Sequence, residues 1–131
     1  PWIDRGELFA LQAVPAPDLR ILYRHALVTV CPSLGEGFDY SGVEAMRCGG
    51  IVVASDIAVH REIYDGAAEY FDPYSTRSLS ECLCRVAYGS DSEPLRDALR
   101  ASGAEVAKRY LPERILPRWD ALLREVRGEH S

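Results

Sequence analysis

The stretch Pro32-Ser33-Leu34-Gly35-Glu36-Gly37-Phe38-Asp39-Tyr40-Ser41-Gly42-Val43-Glu44-Ala45-Met46 decides how this chain is read. It follows an apolar run at 27–31 (LVTVC) and precedes another at 51–54 (IVVA). Neither run alternates with polar residues, so both read as strands buried on two faces. Between them the sequence predicts a glycine-rich loop over 32–40 and a short helix over 41–47. Gly49-Gly50 then stops the helix. A strand, a loop, a helix and a strand form the repeating unit of a parallel sheet. In such sheets ligands sit beyond the carboxyl ends of the strands, which is where this loop falls.

Working outward, 7–12 (ELFALQ) reads as a further strand and 13–17 as a proline-rich turn. A helix is expected over 18–25, with Leu19, Leu22 and Tyr23 on one face. Downstream come a helix over 59–64, closed by Asp65-Gly66, and a short strand at 69–71. Helices are then expected at 76–88, 94–109 and 112–127, the second weakened by Gly103. Trp119 and its leucine and isoleucine neighbours, at helical spacing, read as core. The alternation predicts an α/β fold, a Rossmann-like doubly wound parallel sheet of about four strands, followed by C-terminal helices. The expected division is an α/β part at 1–90 and helices at 91–131. Doubly wound domains usually have more strands than four. Met46 is the only methionine, and the chain opens Pro1-Trp2-Ile3. The expectation is therefore a single partial domain, the later part of a larger sheet.

The 131 residues, 47% apolar and 27% charged, fit one globular domain. Disordered, collagen-like and coiled-coil classes are excluded. No apolar run approaches the roughly 18 residues of a spanning helix. The net charge of −5 argues against nucleic acid as a partner. Residues 94–127 nevertheless hold seven arginines and Lys108 against five acids. That basic third reads as a solvated helix face, with a partner domain or an anionic membrane as the other options. Cys31, Cys48, Cys82 and Cys84 form no C-x-x-C pair. Cys82 and Cys84 stand two apart on a helix and point to different faces, so zinc is not expected. Reduced thiols of a cytosolic protein are.

The chemistry lies in two carboxylates eight residues apart, Glu36 in the loop and Glu44 at the start of the helix. Gly35 and Gly37 let the backbone approach a ligand closely. The helix start near Ser41 offers unpaired amides and the positive end of a dipole to an anion. Carboxylates accept hydrogen bonds from sugar hydroxyls. A phosphate site flanked by two acidic hydroxyl binders suits a sugar nucleotide. Other residues carry less: His25, His60 and His130 have no triad or metal spacing and read as surface or packing residues. Ser33 lies in no G-x-S-x-G elbow. Arg61-Glu62 reads as a structural pair and Asp56 as a turn residue. Tyr40 is either a stacking residue or an ordinary loop aromatic. No P-loop and no D-x-D motif occurs.

In this ordered set the sequence resembles the family 4 retaining glycosyltransferases, specifically the C-terminal, nucleotide-sugar-binding lobe of their GT-B fold. The resemblance rests on Pro32-Ser33, Glu36-Gly37-Phe38, Glu44-Ala45-Met46, Cys48-Gly49 and Val52-Val53-Ala54-Ser55-Asp56. It continues through Arg61-Glu62-Ile63, Gly66-Ala67-Ala68 and Tyr70-Phe71-Asp72-Pro73, and upstream through Asp18-Leu19 and Leu22-Tyr23-Arg24-His25-Ala26. It covers about residues 7–88.

The resemblance implies a role for each matching position. Glu36 would be the catalytic carboxylate, holding hydroxyls of the transferred sugar beside its anomeric carbon. Amides of Gly37, Phe38 and Asp39 would bind that sugar, and those around Tyr40 and Ser41 the diphosphate. Glu44 would grip the ribose, and backbone near Val14 the base. The donor would be a nucleoside diphosphate sugar of UDP or GDP type, with no metal or other cofactor. An upstream basic pair that neutralises the diphosphate, and an N-terminal lobe that binds the acceptor, would complete the enzyme. The chain alone would bind donor weakly and transfer nothing. The location implied is cytoplasmic, with peripheral contact at the inner face of the membrane. The acceptor would be a glycan or its lipid-linked precursor. An open sheet edge would be covered by further chain or by a second copy in a dimer. The family often has Gly-Leu-Pro where this chain has Asp39-Tyr40-Ser41. A carboxylate at Asp39 is unfavourable beside a diphosphate unless it faces sugar hydroxyls. Two other functions compete. A non-catalytic binding module is one; the other is a phospho-receiver domain, which Lys108, placed in a helix, does not support.

Overall fold

The strand β2 (Val52–Ser55) organises the fold, and every residue of it is buried. The computed structural model describes residues 4–128. β2 pairs in parallel with β1 (Thr29–Cys31) on one side and β3 (Ala68–Phe71) on the other. Thr29 stands beside Val52, and Val52 beside Ala68. Successive side chains of β2 point to opposite faces. Val52 and Ala54 join one core, with Val43, Ala45 and Met46 from α2 (Tyr40–Arg47) and Val106 and Ala107 from α5 (Ser92–Arg109). Ile51 and Val53 join the other, with Cys82 and Val86 from α4 (Thr76–Tyr88) and Leu99 of α5. Burying each of the larger side chains is worth about 1.5–3 kcal/mol. Helices on both faces of a parallel sheet give the α/β, Rossmann-like class read from the sequence.

α1 (Ala16–His25) precedes β1, and α3 (Ala58–Tyr64) links β2 to β3 through one 3₁₀ turn. Cys48 and Gly49, at φ +81°, end α2, and the Gly50 amide turns back to the Ala45 carbonyl at 2.8 Å. Gly103 does not break α5. A Cβ there would stand 3.1 Å from Met46 Cγ, so glycine lets α5 lie close on α2.

Four expectations are corrected. Residues 7–12 form no strand, and the sheet has three strands among the described residues rather than about four. A strand needs a neighbour to satisfy its ladder groups. This segment has none, and Leu8, Phe9 and Leu11 are exposed. β1 is shorter than 27–31 and only half-buried at Thr29 and Val30, because it has a strand on one side only. α6 (Pro112–Val126) buries no residue, and Trp119 is 57% exposed rather than core. Its apolar stripe is real, but the described chain leaves it uncovered. Arg61 pairs with Asp56 at 2.6 and 2.8 Å and lies over the Tyr70 ring at 3.8 Å, not with Glu62. Cys82 is buried and Cys84 exposed, on different faces as their spacing requires.

Candidate functional site

The loop between β1 and α2 leaves the carboxyl end of β1, an edge strand of the described sheet. Glu36 is exposed there, and the Ser33 hydroxyl donates to its Oε1 at 2.6 Å. That bond orients the carboxylate and gives Ser33 a role its sequence context did not reveal. Phe38 is half-buried between Tyr40 (4.8 Å between ring centres) and Tyr110 (5.1 Å). Tyr40 is therefore a ring partner of Phe38 while remaining 72% exposed.

Asp39 caps α2. Its carboxylate accepts from the Gly42 amide at 3.3 Å. One of the unpaired amides of the helix start is thus satisfied internally. Asp39 is 7% exposed and faces inward, so its charge is turned away from the loop's open side. Burial pushes its pKa up, but hydrogen bonds from Tyr64, Cys31 and the Gly42 amide, with the nearby His60, outweigh this and hold it below the usual value. Burial and the Asp39 carboxylate push the Cys31 thiol up to about 12. The same causes raise the buried Tyr64 phenol.

Glu44 is exposed in the second turn of α2, later than the helix start expected for it. It lines a hollow of about 450 Å³ between α1 and α2, together with Ala16, Leu19, Arg20, Tyr23, Arg24 and Arg47. Tyr23 lies beside Ser41 and Glu44; burial raises its phenol pKa, opposed by the Ser41 hydrogen bond. Val14 is not on this wall. It lines a second hollow of about 410 Å³ with Leu11, Ile21 and Leu22.

His60 is wholly buried. Its Nδ1 lies 2.9 Å from the Ser55 carbonyl and 3.1 Å from Ser55 Oγ, and its Nε2 lies 3.3 Å from Asp39 Oδ2. The Asp39 contact is off the ring-nitrogen axis, so Nε2 makes no well-formed hydrogen bond. The ring stacks on Tyr64 at 5.4 Å. The sequence left His60 as a surface or packing residue; it is a buried one, with partners that the sequence did not show. Asp39 is 21 positions away, outside any motif window. His25 is exposed at the end of α1, and His130 lies outside the described residues. Among the described residues no group of three or more His, Cys, Asp or Glu could hold a metal ion. No described helix is long and apolar enough to cross a membrane.

A parallel sheet flanked by helices defines an α/β domain, a class that places its ligands at the carboxyl ends of the strands. Comparison with known proteins narrows the class. The family described as Glycosyl transferases group 1 matches residues 4–87. The chain belongs to this glycosyltransferase family. It is 33% identical over 98 residues to the O-antigen chain mannosyltransferase RfbU of Salmonella typhimurium, covering 75% of this chain and 26% of that protein. It is 32% identical over 105 residues to the O-antigen chain mannosyltransferase B of Escherichia coli, covering 80% and 27%. The serotype-specific mannosyltransferase WbdA of Escherichia coli is 31% identical over 81 residues, 62% of this chain and 10% of that protein. The matches thus span about a quarter of the first two relatives.

Proposed function

We propose that this chain forms the nucleotide-sugar side of a retaining glycosyltransferase. The glycine pair carries the reading. A Cβ at Gly35 or Gly37 would meet nothing within 4 Å, and neither residue has a positive φ. Neither packing nor backbone conformation asks for glycine there, so the open flank is the space a ligand takes. Glu36 then meets the sugar hydroxyls. Amides of Gly37, Phe38 and Asp39 line the sugar, and those of Tyr40 and Ser41 meet the diphosphate. Glu44, on the wall of the α1–α2 hollow, accepts from the ribose hydroxyls. The base lies toward the start of α1, where Ala16 lines the hollow and Val14 precedes it. Arg20, Arg24 and Arg47 make this hollow cationic and favour a nucleotide dianion.

In the proposed transfer, the bond from the anomeric carbon to the phosphate oxygen breaks. The acceptor oxygen bonds the same face, and its proton passes to the departing diphosphate. Stabilising that developing charge is the main electrostatic task. Helix amides supply part of it, with no metal or cofactor assigned. The mannosyltransferase relatives favour mannose as the sugar. They also favour a surface glycan or its lipid-linked precursor as acceptor, at the cytoplasmic face of the membrane. A further acceptor-binding region completes the enzyme, so the 131 residues alone bind donor without turnover. Titration calorimetry with UDP- and GDP-linked sugars tests this. One nucleotide class should bind, and Glu44→Ala should weaken it about tenfold or more, the worth of a charged hydrogen bond. Indifference to every nucleotide sugar would leave a non-catalytic module.

A further inference from the structure

The loop that carries Glu36 runs from Ser33 to Asp39, and both of its ends converge on one buried imidazole. At the first end, Ser55 Oγ donates to the Ser33 carbonyl at 2.5 Å, and that same oxygen lies 3.1 Å from His60 Nδ1. At the second end, Asp39 Oδ2 lies 3.3 Å from His60 Nε2. The hydrogens follow from the partners. The Ser55 carbonyl can only accept, so Nδ1 carries a hydrogen. The Ser55 hydroxyl spends its own hydrogen on Ser33, which leaves its lone pairs for Nδ1. Nε2 lies beside the Asp39 carboxylate without a well-formed hydrogen bond, so this end is held as an ion contact, made when Nε2 also carries a hydrogen. His60 and Ser55 are 0% exposed and Asp39 is 7%, so these contacts are made out of water.

We propose that His60 is the positioning residue of the Glu36 loop, clasping the loop's start through Ser55 and its end through Asp39. The clasp fixes Glu36 relative to the free amides at the start of α2. Those two features must act on one ligand, so the distance between them matters. The reason the distance matters rests on the proposed donor site. The clasp itself does not, and it is tested without ligand.

The test uses ¹⁵N relaxation of the backbone amides of the whole chain, with no ligand added. His60→Phe keeps the ring against Tyr64 and removes both nitrogens. Order parameters at Gly35, Glu36 and Gly37 should fall from the rigid range near 0.85 to below about 0.6, while Val52–Ser55 stay rigid. Two smaller changes separate the ends. Asn places an amide nitrogen near the Nδ1 position, so His60→Asn should keep Ser33 ordered and loosen Asp39. Gln places one near Nε2, so His60→Gln should do the reverse. A residue that only fills space would show no such split. Should His60→Phe not fold, Ser55→Ala severs the first end alone and should loosen Ser33 while Asp39 stays ordered. Loop amides as rigid in the folded variants as in the wild type would overturn the clasp. If the clasp holds but no nucleotide sugar binds, the donor assignment fails and the clasp stands. The ring ¹⁵N spectrum adds a direct check, a hydrogen on Nδ1 in the wild type.

Discussion

Glycines at positions 37 and 42 stand five residues apart and answer to opposite constraints. At Gly42 an added Cβ would lie 2.0 Å from the Tyr64 hydroxyl, and that ring is wholly buried. Gly42→Ala must therefore displace Tyr64 and disturb Asp39, whose carbonyl accepts from it at 3.4 Å. Overpacking of this kind costs about 1–3 kcal/mol, which urea denaturation will read directly. At Gly37 the space is open. Gly37→Ala should leave stability within about 0.5 kcal/mol, as an ordinary surface change does. It should weaken nucleotide-sugar binding several-fold in calorimetry, because the new methyl occupies the proposed ligand's place. Unchanged binding would remove Gly37 from the site. The sequence showed the two carboxylates and the glycines because they fall within one short window. It could not show that Asp39, Ser55 and His60 meet, since contacts between elements have no periodicity to read.

The helix α2 links the loop to the sheet, and its cap decides how acid affects it. The Asp39 carboxyl is held below the usual aspartate value in the folded state. A depressed carboxylate contributes stability that is fully present above the unfolded value. That contribution is lost as pH falls through the lower, folded one. Asparagine also caps helices well, so Asp39→Asn isolates the charge from the cap. The variant should be less stable than the wild type at pH 7, and the gap should close as pH falls below about 4. Guanidinium denaturation at several pH values measures both limbs; a gap independent of pH would show that the charge adds nothing. At this scale periodicity read the helices well, since α4 and the start of α6 fall where the pattern put them. It erred at 7–12 and on the burial of α6. An apolar pattern says that a segment has a face to bury, and nothing about what covers it.

Across the whole molecule, exposed apolar surface lies along α6 and again beside β1. Among the described residues β1 pairs with β2 alone, and no strand lies on its other edge. Next to it, Leu27 and Val28 line a hollow of about 460 Å³ with Leu79 and Leu83 of α4. Leu27 is 47% exposed, and Leu22 of α1 is 44% exposed nearby in sequence. A bare strand edge flanked by apolar groups pairs with whatever strand it meets. Between two copies of the chain, the strand within reach is the same edge of the other copy. Sedimentation velocity should therefore show association that grows with concentration. Charge on an edge blunts such pairing, so Leu27→Lys should restore the monomer. Leu27 lies before β1 and outside both buried cores, so helix content by circular dichroism should not change. The Glu36 loop leaves the carboxyl end of this same strand, so its geometry depends on an edge held in place. Sheet pairing at β1 and nucleotide-sugar affinity should therefore rise together when a covering strand is supplied. An affinity that stays constant as the edge is covered would separate the two.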